Sequence, residues 1–285
     1  MKPSAPFMPQ SGIWLANLSK NGKSDNTVEC YERDLRDVAA VLGKDLAGDL
    51  TSCDQSSIDQ LHSVWSAQGC SSATILRRLS ALRAFAKFLC CTCGVDCSRL
   101  LSAVLPRLIR RHRPGIDDAE VQAALELPIA DQTWVGLRDS AMFSVQASAA
   151  VTTAELIALD VRNLKLSQAV VVIAHTHLTP RTVGIAAFAV LAVQNYLASL
   201  SFVLAPHDPL FVTNRGGRLT ARTVQLRFRR RRRALGIRET ACPIGLRHGV
   251  GEKLAAAGHS PATIACALGL SPVSVSKYFS ARNIV

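Results

Sequence analysis

Apolar residues recur at intervals of three and four along most of the chain and give way to branched β-formers over one stretch only. After Asp25-Asn-Thr-Val28, the residues Tyr31, Leu35, Val38 and Leu42 share one face of a helix that Gly43 stops, with Asp and Asn placed to cap its start. Ile13-Trp14-Leu15 opens an earlier apolar pattern that breaks at Lys20-Asn-Gly-Lys-Ser24, so residues 1–11 read as a tail. A further helix is predicted around Ser57 to Gln68, closed by Gly69, and another from Ser72 through Ile75, Leu79, Leu82, Phe85 and Leu89. The last carries Arg77, Arg78, Arg83 and Lys87 on its polar side. Residues 12–100 are thus expected to form a small all-helical domain with one basic face, either a solvated surface or a surface for phosphates.

Leu105-Pro-Arg-Leu-Ile-Arg110-Arg111-His-Arg-Pro114-Gly115 is broken by proline and glycine and dense in arginine, which makes 101–115 a basic linker suited to run beside phosphates through Arg110 and Arg111. Asp117-Asp118 then starts a helix with carboxylates in the first turn, where the helix dipole favours them, and opens a second domain over 116–285. A buried helix from Leu137 leads to Val151-Thr152-Thr-Ala-Glu155-Leu156. The branched run Ala169-Val-Val-Val-Ile-Ala174, the polar turn His175-Thr-His177-Leu-Thr-Pro-Arg181 and the return Thr182-Val-Gly-Ile185 predict a β-hairpin. Another helix covers Phe188 to Leu197. After Pro209-Leu-Phe and a Gly216-Gly217 turn, a last basic helix runs into Arg227-Phe-Arg-Arg-Arg-Arg-Arg233. As a solvated face that run repels itself, and as a phosphate-facing helix it fits, so Arg227, Arg229 and Arg230 are assigned to DNA contact. The fold class is mainly α with a small β-hairpin.

A chain of 285 residues, 48% of them apolar, has material for two cores. The net charge of +12 selects polyanions as partners through counterion release. Aromatics at 5% weaken the case for a single-strand stacking platform. No apolar run reaches the roughly 18 residues of a membrane span and no signal-peptide core follows Met1, so a cytoplasmic protein without a membrane partner is expected. Of nine cysteines, four crowd into Cys90-Cys91-Thr-Cys93-Gly-Val-Asp-Cys97. The spacing is not that of paired zinc knuckles and no His lies near, so reduced thiols packed as small hydrophobes at a helix end are the better reading than a metal site.

The C-terminal stretch from Cys242-Pro-Ile-Gly-Leu-Arg247-His248 to Tyr278 admits two readings. Thr263 to Lys277 fits a helix-turn-helix, with Gly269 at the turn. The stretch also resembles the closing module of the tyrosine recombinases (phage integrase family), with an Arg-His pair followed some thirty residues on by a tyrosine. Ser24-Asp-Asn-Thr-Val-Glu-Cys-Tyr-Glu-Arg-Asp-Leu35 and Ala73 to Phe85 resemble that family's core-binding domain, and Pro209-Leu-Phe with the Gly-Gly turn resembles its catalytic domain; together they favour the second reading. The resemblance implies a two-domain architecture, a helical DNA-binding domain and a mixed catalytic domain. It also implies site-specific recombination or integration through a 3′-phosphotyrosine.

On that resemblance Tyr278 is the nucleophile, Arg247 the bidentate phosphate clamp and His248 an active-site support. The family's first arginine falls on Thr152, its hairpin lysine on or near Thr176, and two imidazoles on Ile244 and Leu270. His175 or His177 is then the candidate proton donor, and Arg181 or Arg162 the candidate replacement for the first arginine. Because the phosphotyrosine conserves the bond, no cofactor and no metal are expected, and protomers should assemble on DNA, with or without a second recombinase. The enzyme reading is an attenuated or partner-dependent recombinase. The alternative is an inactive DNA-binding accessory protein on the same fold.

Overall fold

A computed structural model describes residues 9–42, 50–106, 115–116, 133–174 and 180–279, and the chain divides into two compact units, 1–111 and 112–285. Residues 110 and 111 of the basic linker, the Asp117-Asp118 helix start, and the hairpin turn with His175, Thr176 and His177 lie outside the described residues.

The first unit is helical: α1 (Pro9–Lys20), α2 (Asp25–Leu42), α3 (Gln55–Ala67), α4 (Ser72–Cys93) and a short α5 (Ser98–Ser102). Asp54 caps α3 in a reciprocal box with Ser57, and Ser71 caps α4, which Gly94 ends in the left-handed region at φ 67°. The 22-residue α4 is the axis of this unit. Its Ile75, Leu79, Leu82, Phe85 and Leu89 meet Leu35, Val38, Ile58, Leu61 and Trp65, while Trp14 stacks on Tyr31 at 5.6 Å. The polar side of α4 differs from expectation. Arg77 pairs with buried Asp34 of α2, Arg78 pairs with Asp37 and lies 4.9 Å over the Trp65 ring, and Arg83 donates to the carbonyls of Leu101 and Ala103. These three arginines bind α4 to its neighbours, because a buried carboxylate and bare helix-end carbonyls need donors. Lys87 is the one of the four basic residues that is exposed, with no such contact among the described residues. At the end of α4, Cys97 is buried, and burial followed by the neighbouring Cys90 pushes its thiol up to about 12, so it packs as a small apolar group. No group of three metal ligands occurs among the described residues.

The second unit is built on α6 (Trp134–Ala149), which is buried along almost its whole length. Helix α7 (Thr153–Ala158) leads into an antiparallel sheet of β1 (Leu164–Lys165), β2 (Val170–Ile173) and β3 (Arg181–Gly184). In the β2–β3 register Ile173 faces Arg181 and Val171 faces Val183. Helices α8 (Ala187–Ala198), α9 (Ala221–Ala234), α10 (Pro243–Ala256), α11 (Pro261–Leu268) and α12 (Pro272–Val275) follow. Helices α8 and α10 pack against α6, and α9 docks on it through Phe228, edge-on to Phe143 at 5.1 Å.

The arginine run of α9 therefore divides by face. Phe228 and Val224 point inward, so Arg227 reaches Asp139 of α6 and Arg231 donates to Ser140 at 2.9 Å. Asp139 also accepts from Arg138, which in turn donates to the Val212 carbonyl at 2.8 Å. Arg227, assigned to DNA from the sequence, pairs here with Asp139 and keeps 22% of its side chain exposed. Arg229 and Arg230 lie on the exposed face. Among the described residues no helix is long and apolar enough to cross a membrane.

Candidate active site

Four segments distant in sequence deliver the site. Thr152 precedes α7 with extended backbone, its hydroxyl accepting from the Glu155 N–H at 3.1 Å while Glu155 accepts from the Thr152 N–H at 2.7 Å. This capping box fixes the Glu155 carboxylate at the start of the helix. Just before it, α6 ends on Ala150 in the left-handed region at φ 51°, a conformation that disfavours a side chain by about 1 kcal/mol. The carbonyl so turned accepts from Arg247 at 2.7 Å.

Arg247 sits one turn inside α10, which begins at Pro243, rather than at the helix start. It is 3% exposed. One Nη reaches the Ala150 carbonyl and Glu155 (3.3 Å), and the other reaches the Leu268 carbonyl at the end of α11. Arg181 arrives from β3 on the side that Val183 also faces, and donates to the second Glu155 oxygen at 2.6 Å with 9% of its side chain exposed. One buried carboxylate thus bridges two buried guanidiniums. Burial pushes the Glu155 carboxyl up, but the Arg181 hydrogen bond, the Thr152 N–H and both guanidinium charges outweigh it and hold it below its ordinary value. Burial lowers Arg247 against the pull of Glu155, and a guanidinium so paired stays charged. Arg162, the other candidate for the missing arginine, is 55% exposed and turns to Asp160 at 3.4 Å.

Tyr278 closes a 3-10 turn after α12 and is buried among Ala255, Ile264, Leu268 and Val275. Its hydroxyl lies 3.0 Å from His248 Nδ1. Burial raises the phenol above its ordinary value; Arg247 pulls it back down and Glu252 adds to the rise. Lys277 is 4.9 Å over the tyrosine ring and is lowered by burial and then by Arg247. The ring rests on Gly251 of α10, where an added Cβ would stand 2.7 Å from Tyr278 Cζ. Gly251→Ala gains helix propensity of up to about 1 kcal/mol but overpacks the ring by about 1–3 kcal/mol. A slightly lowered melting temperature with a larger fall in tyrosine reactivity is expected, read by thermal unfolding and DNA attachment.

The helix-turn-helix reading does not survive the geometry. Helix α12 has four residues, too short for a recognition helix, and Tyr278 is inside the core rather than on a groove-facing surface. Of the residues singled out in the sequence, Arg181 and Arg247 meet on Glu155, and His248 meets Tyr278. Ile244 and Leu270 are partly buried apolar residues, and Leu270 packs on the Tyr278 cluster. Glu155, Lys277 and Gly251 were not picked out by sequence reasoning. For Glu155 the signal was present in Thr152-x-x-Glu155, a capping box by spacing.

A model of the phage integrase family matches residues 116–283, and a model of the phage integrase N-terminal SAM-like domain matches residues 13–91. The chain belongs to the phage integrase family. It is 31% identical over 251 residues to the tyrosine recombinase XerC of Methylobacterium nodulans, covering 84% of this chain and 77% of that protein. It is 26% identical over 302 residues to the tyrosine recombinase XerC of Rhizobium meliloti, covering 98% and 94%. Among solved structures it shares the fold of the Tn1549 transposon integrase in complex with transposon right end DNA, with TM-score 0.77, 16% identity and coverage of 96% and 98%. A lambda integrase dimer bound to a COC′ core site is similar at TM-score 0.72 and 14% identity, with coverage of 97% and 77%.

Proposed function

We propose that this chain is a site-specific DNA recombinase of the tyrosine type, cutting and rejoining duplex DNA at Tyr278. The observation that carries the assignment of the site is the Tyr278 hydroxyl held 3.0 Å from His248 Nδ1, with the buried Arg247 guanidinium close enough to bear on the phenol's ionisation. A phenol whose ionisation burial disfavours needs a base, and a neutral imidazole nitrogen within hydrogen-bond reach can accept its proton. In the forward step Tyr278 Oη attacks phosphorus as its proton passes to His248. The bond to the 5′ oxygen breaks, a 3′-phosphotyrosine forms, and the 5′ oxygen leaves as a hydroxyl. The proposed donor of that proton is His175 or His177. Arg247 stabilises the charge that builds on the non-bridging oxygens. A second strand's 5′ hydroxyl reverses the sequence, so the covalent bond carries the energy between strands. Exposed Lys87, Arg229 and Arg230, together with Arg110 and Arg111 of the linker, are the proposed phosphate contacts outside the site. The protein acts in the cytoplasm, as an assembly of protomers on DNA.

A library of duplexes with randomised sequence around a single nick tests this reading, because the nick lets the short 5′ fragment diffuse away and traps the intermediate. Wild type is expected to yield adducts that survive detergent and whose sequence defines the site. No adduct, alone or with a partner recombinase, leaves only the DNA-binding accessory reading.

A further inference from the structure

We propose that Glu252 is a positioning residue of the Tyr278 site, one whose carboxylate fastens the end of the basic linker to α10 and so fixes the helix that carries Arg247 and His248. This assignment rests on the strand-transfer reading above.

Helix α10 carries glycine at 245, 249 and 251, although glycine weakens a helix interior. Each of the three has an occupant. An added Cβ would stand 2.8 Å from Ile116 Cγ1 at Gly245, 2.6 Å from the Ile116 carbonyl oxygen at Gly249 and 2.7 Å from Tyr278 Cζ at Gly251. One helix thus receives the end of the linker on one face and the ring of the nucleophile on another. At about 3.6 residues per turn, His248 and Glu252, four positions apart, lie together between those two faces.

The linker end is keyed to that edge. Gly115 and Ile116 are both buried, so their backbone groups need partners within the protein. The Gly115 N–H donates to Glu252 Oε1 at 2.9 Å, the Ile116 N–H donates to the Gly245 carbonyl at 3.1 Å, and Arg238 donates to the Gly115 carbonyl. A Cβ at Gly115 would stand 2.5 Å from both Glu252 Oε2 and the Gly249 nitrogen, so only glycine lets the chain pass here. The charge of Glu252 works against ionisation of the Tyr278 phenol, whereas Arg247 favours it. A carboxylate so placed does nothing for the attack itself, and its grip on Gly115 is what it contributes. Arg110 and Arg111 precede Gly115 by five and four positions. A linker held along phosphates by those two arginines is thereby joined, through Glu252, to the helix on which Tyr278 rests.

The probe is the nicked duplex recovered from wild-type adducts. Attachment is timed across a DNA titration, which separates the rate at saturation from the DNA concentration at half-saturation. Glu252→Ala removes the acceptor and is expected to slow attachment at saturation by about 10- to 100-fold, the cost of displacing reacting groups by about 1 Å. Its half-saturating concentration should stay within about threefold of wild type, since no phosphate contact is lost. Glu252→Gln keeps a carbonyl oxygen for the Gly115 N–H and drops the charge that opposes the phenol, so it should attach at least as fast as wild type. Thermal unfolding of either variant should shift by only a few degrees, because at most one hydrogen bond is removed. Glu252→Met, which keeps side-chain length and helix propensity without the carboxylate, takes the place of the alanine variant if that variant does not fold. A wild-type rate in the variant lacking the acceptor, a glutamine variant equally slow, or a defect confined to half-saturation overturns the assignment. Wild type that never attaches overturns the strand-transfer reading and this assignment together.

Discussion

Tyr278→Phe is expected to abolish the detergent-stable adduct while leaving DNA binding within a few-fold of wild type. The substitution removes one oxygen. The ring keeps its contacts with Gly251, Ile264 and Val275, and the hydrogen bond lost to His248 is worth about 0.5–1.5 kcal/mol of stability. Thermal unfolding should therefore shift by only a few degrees, since a kelvin scale of about 2–4 °C per kcal/mol applies to a unit of this size. Chemistry should fall to background, because without the nucleophile there is no covalent step to slow. Denaturing electrophoresis on the nicked duplex and a mobility-shift titration measure the two quantities side by side. An adduct that persists in the phenylalanine variant would move the nucleophile elsewhere. Loss of DNA binding along with the adduct would make Tyr278 a structural residue.

Most elements of both units could be read from periodicity, because they bury one face and satisfy their backbone locally. Helix α2 begins at the predicted Asp25, with the Ser24 hydroxyl rather than Asp25 or Asn26 accepting from the Thr27 N–H at 3.3 Å, and α4 begins at the predicted Ser72 behind the Ser71 cap. The hairpin follows from branched residues on either side of a polar turn. Strand β1 escaped notice because two residues carry no period. Charge was harder to read. Arg77 meets an acid 43 positions away and Arg227 one 88 positions away, and no local pattern separates an arginine with such a partner from a solvated one. One clue did exist. Val224 and Phe228 mark the buried stripe of α9, so Arg227 and Arg231 flank it while Arg229 and Arg230 face away.

The site divides in the same way. Tyr278, Arg247 and His248 stood out because their spacing belongs to one C-terminal module. Glu155 did not, since its local role as a cap conceals the tertiary one: its carboxylate reaches residues 26 and 92 positions away. A residue with a satisfying local explanation invites no second one. The chain nonetheless places a buried negative charge here, between two arginines.

Removing that charge should have the largest effect on stability of any single substitution at the site. Glu155→Ala leaves Arg181 and Arg247 facing each other at low exposure with no counter-charge, and strips the Thr152 N–H of its acceptor. Breaking a buried pair in this way typically costs about 3–5 kcal/mol. Glu155→Gln keeps the shape and one acceptor and should fall between alanine and wild type. The pH dependence separates charge from packing. Glu155 titrates below its ordinary value of 4.5 in the folded protein, so its contribution is fully present above the unfolded value and is lost as pH falls through the folded one. Denaturant unfolding from pH 7 downward should show wild type losing stability below about 4.5 more steeply than Glu155→Gln, with the two curves converging in acid. Parallel curves would mean that the charge on Glu155 adds nothing to folding. The two arginines would then not depend on it for their charge balance.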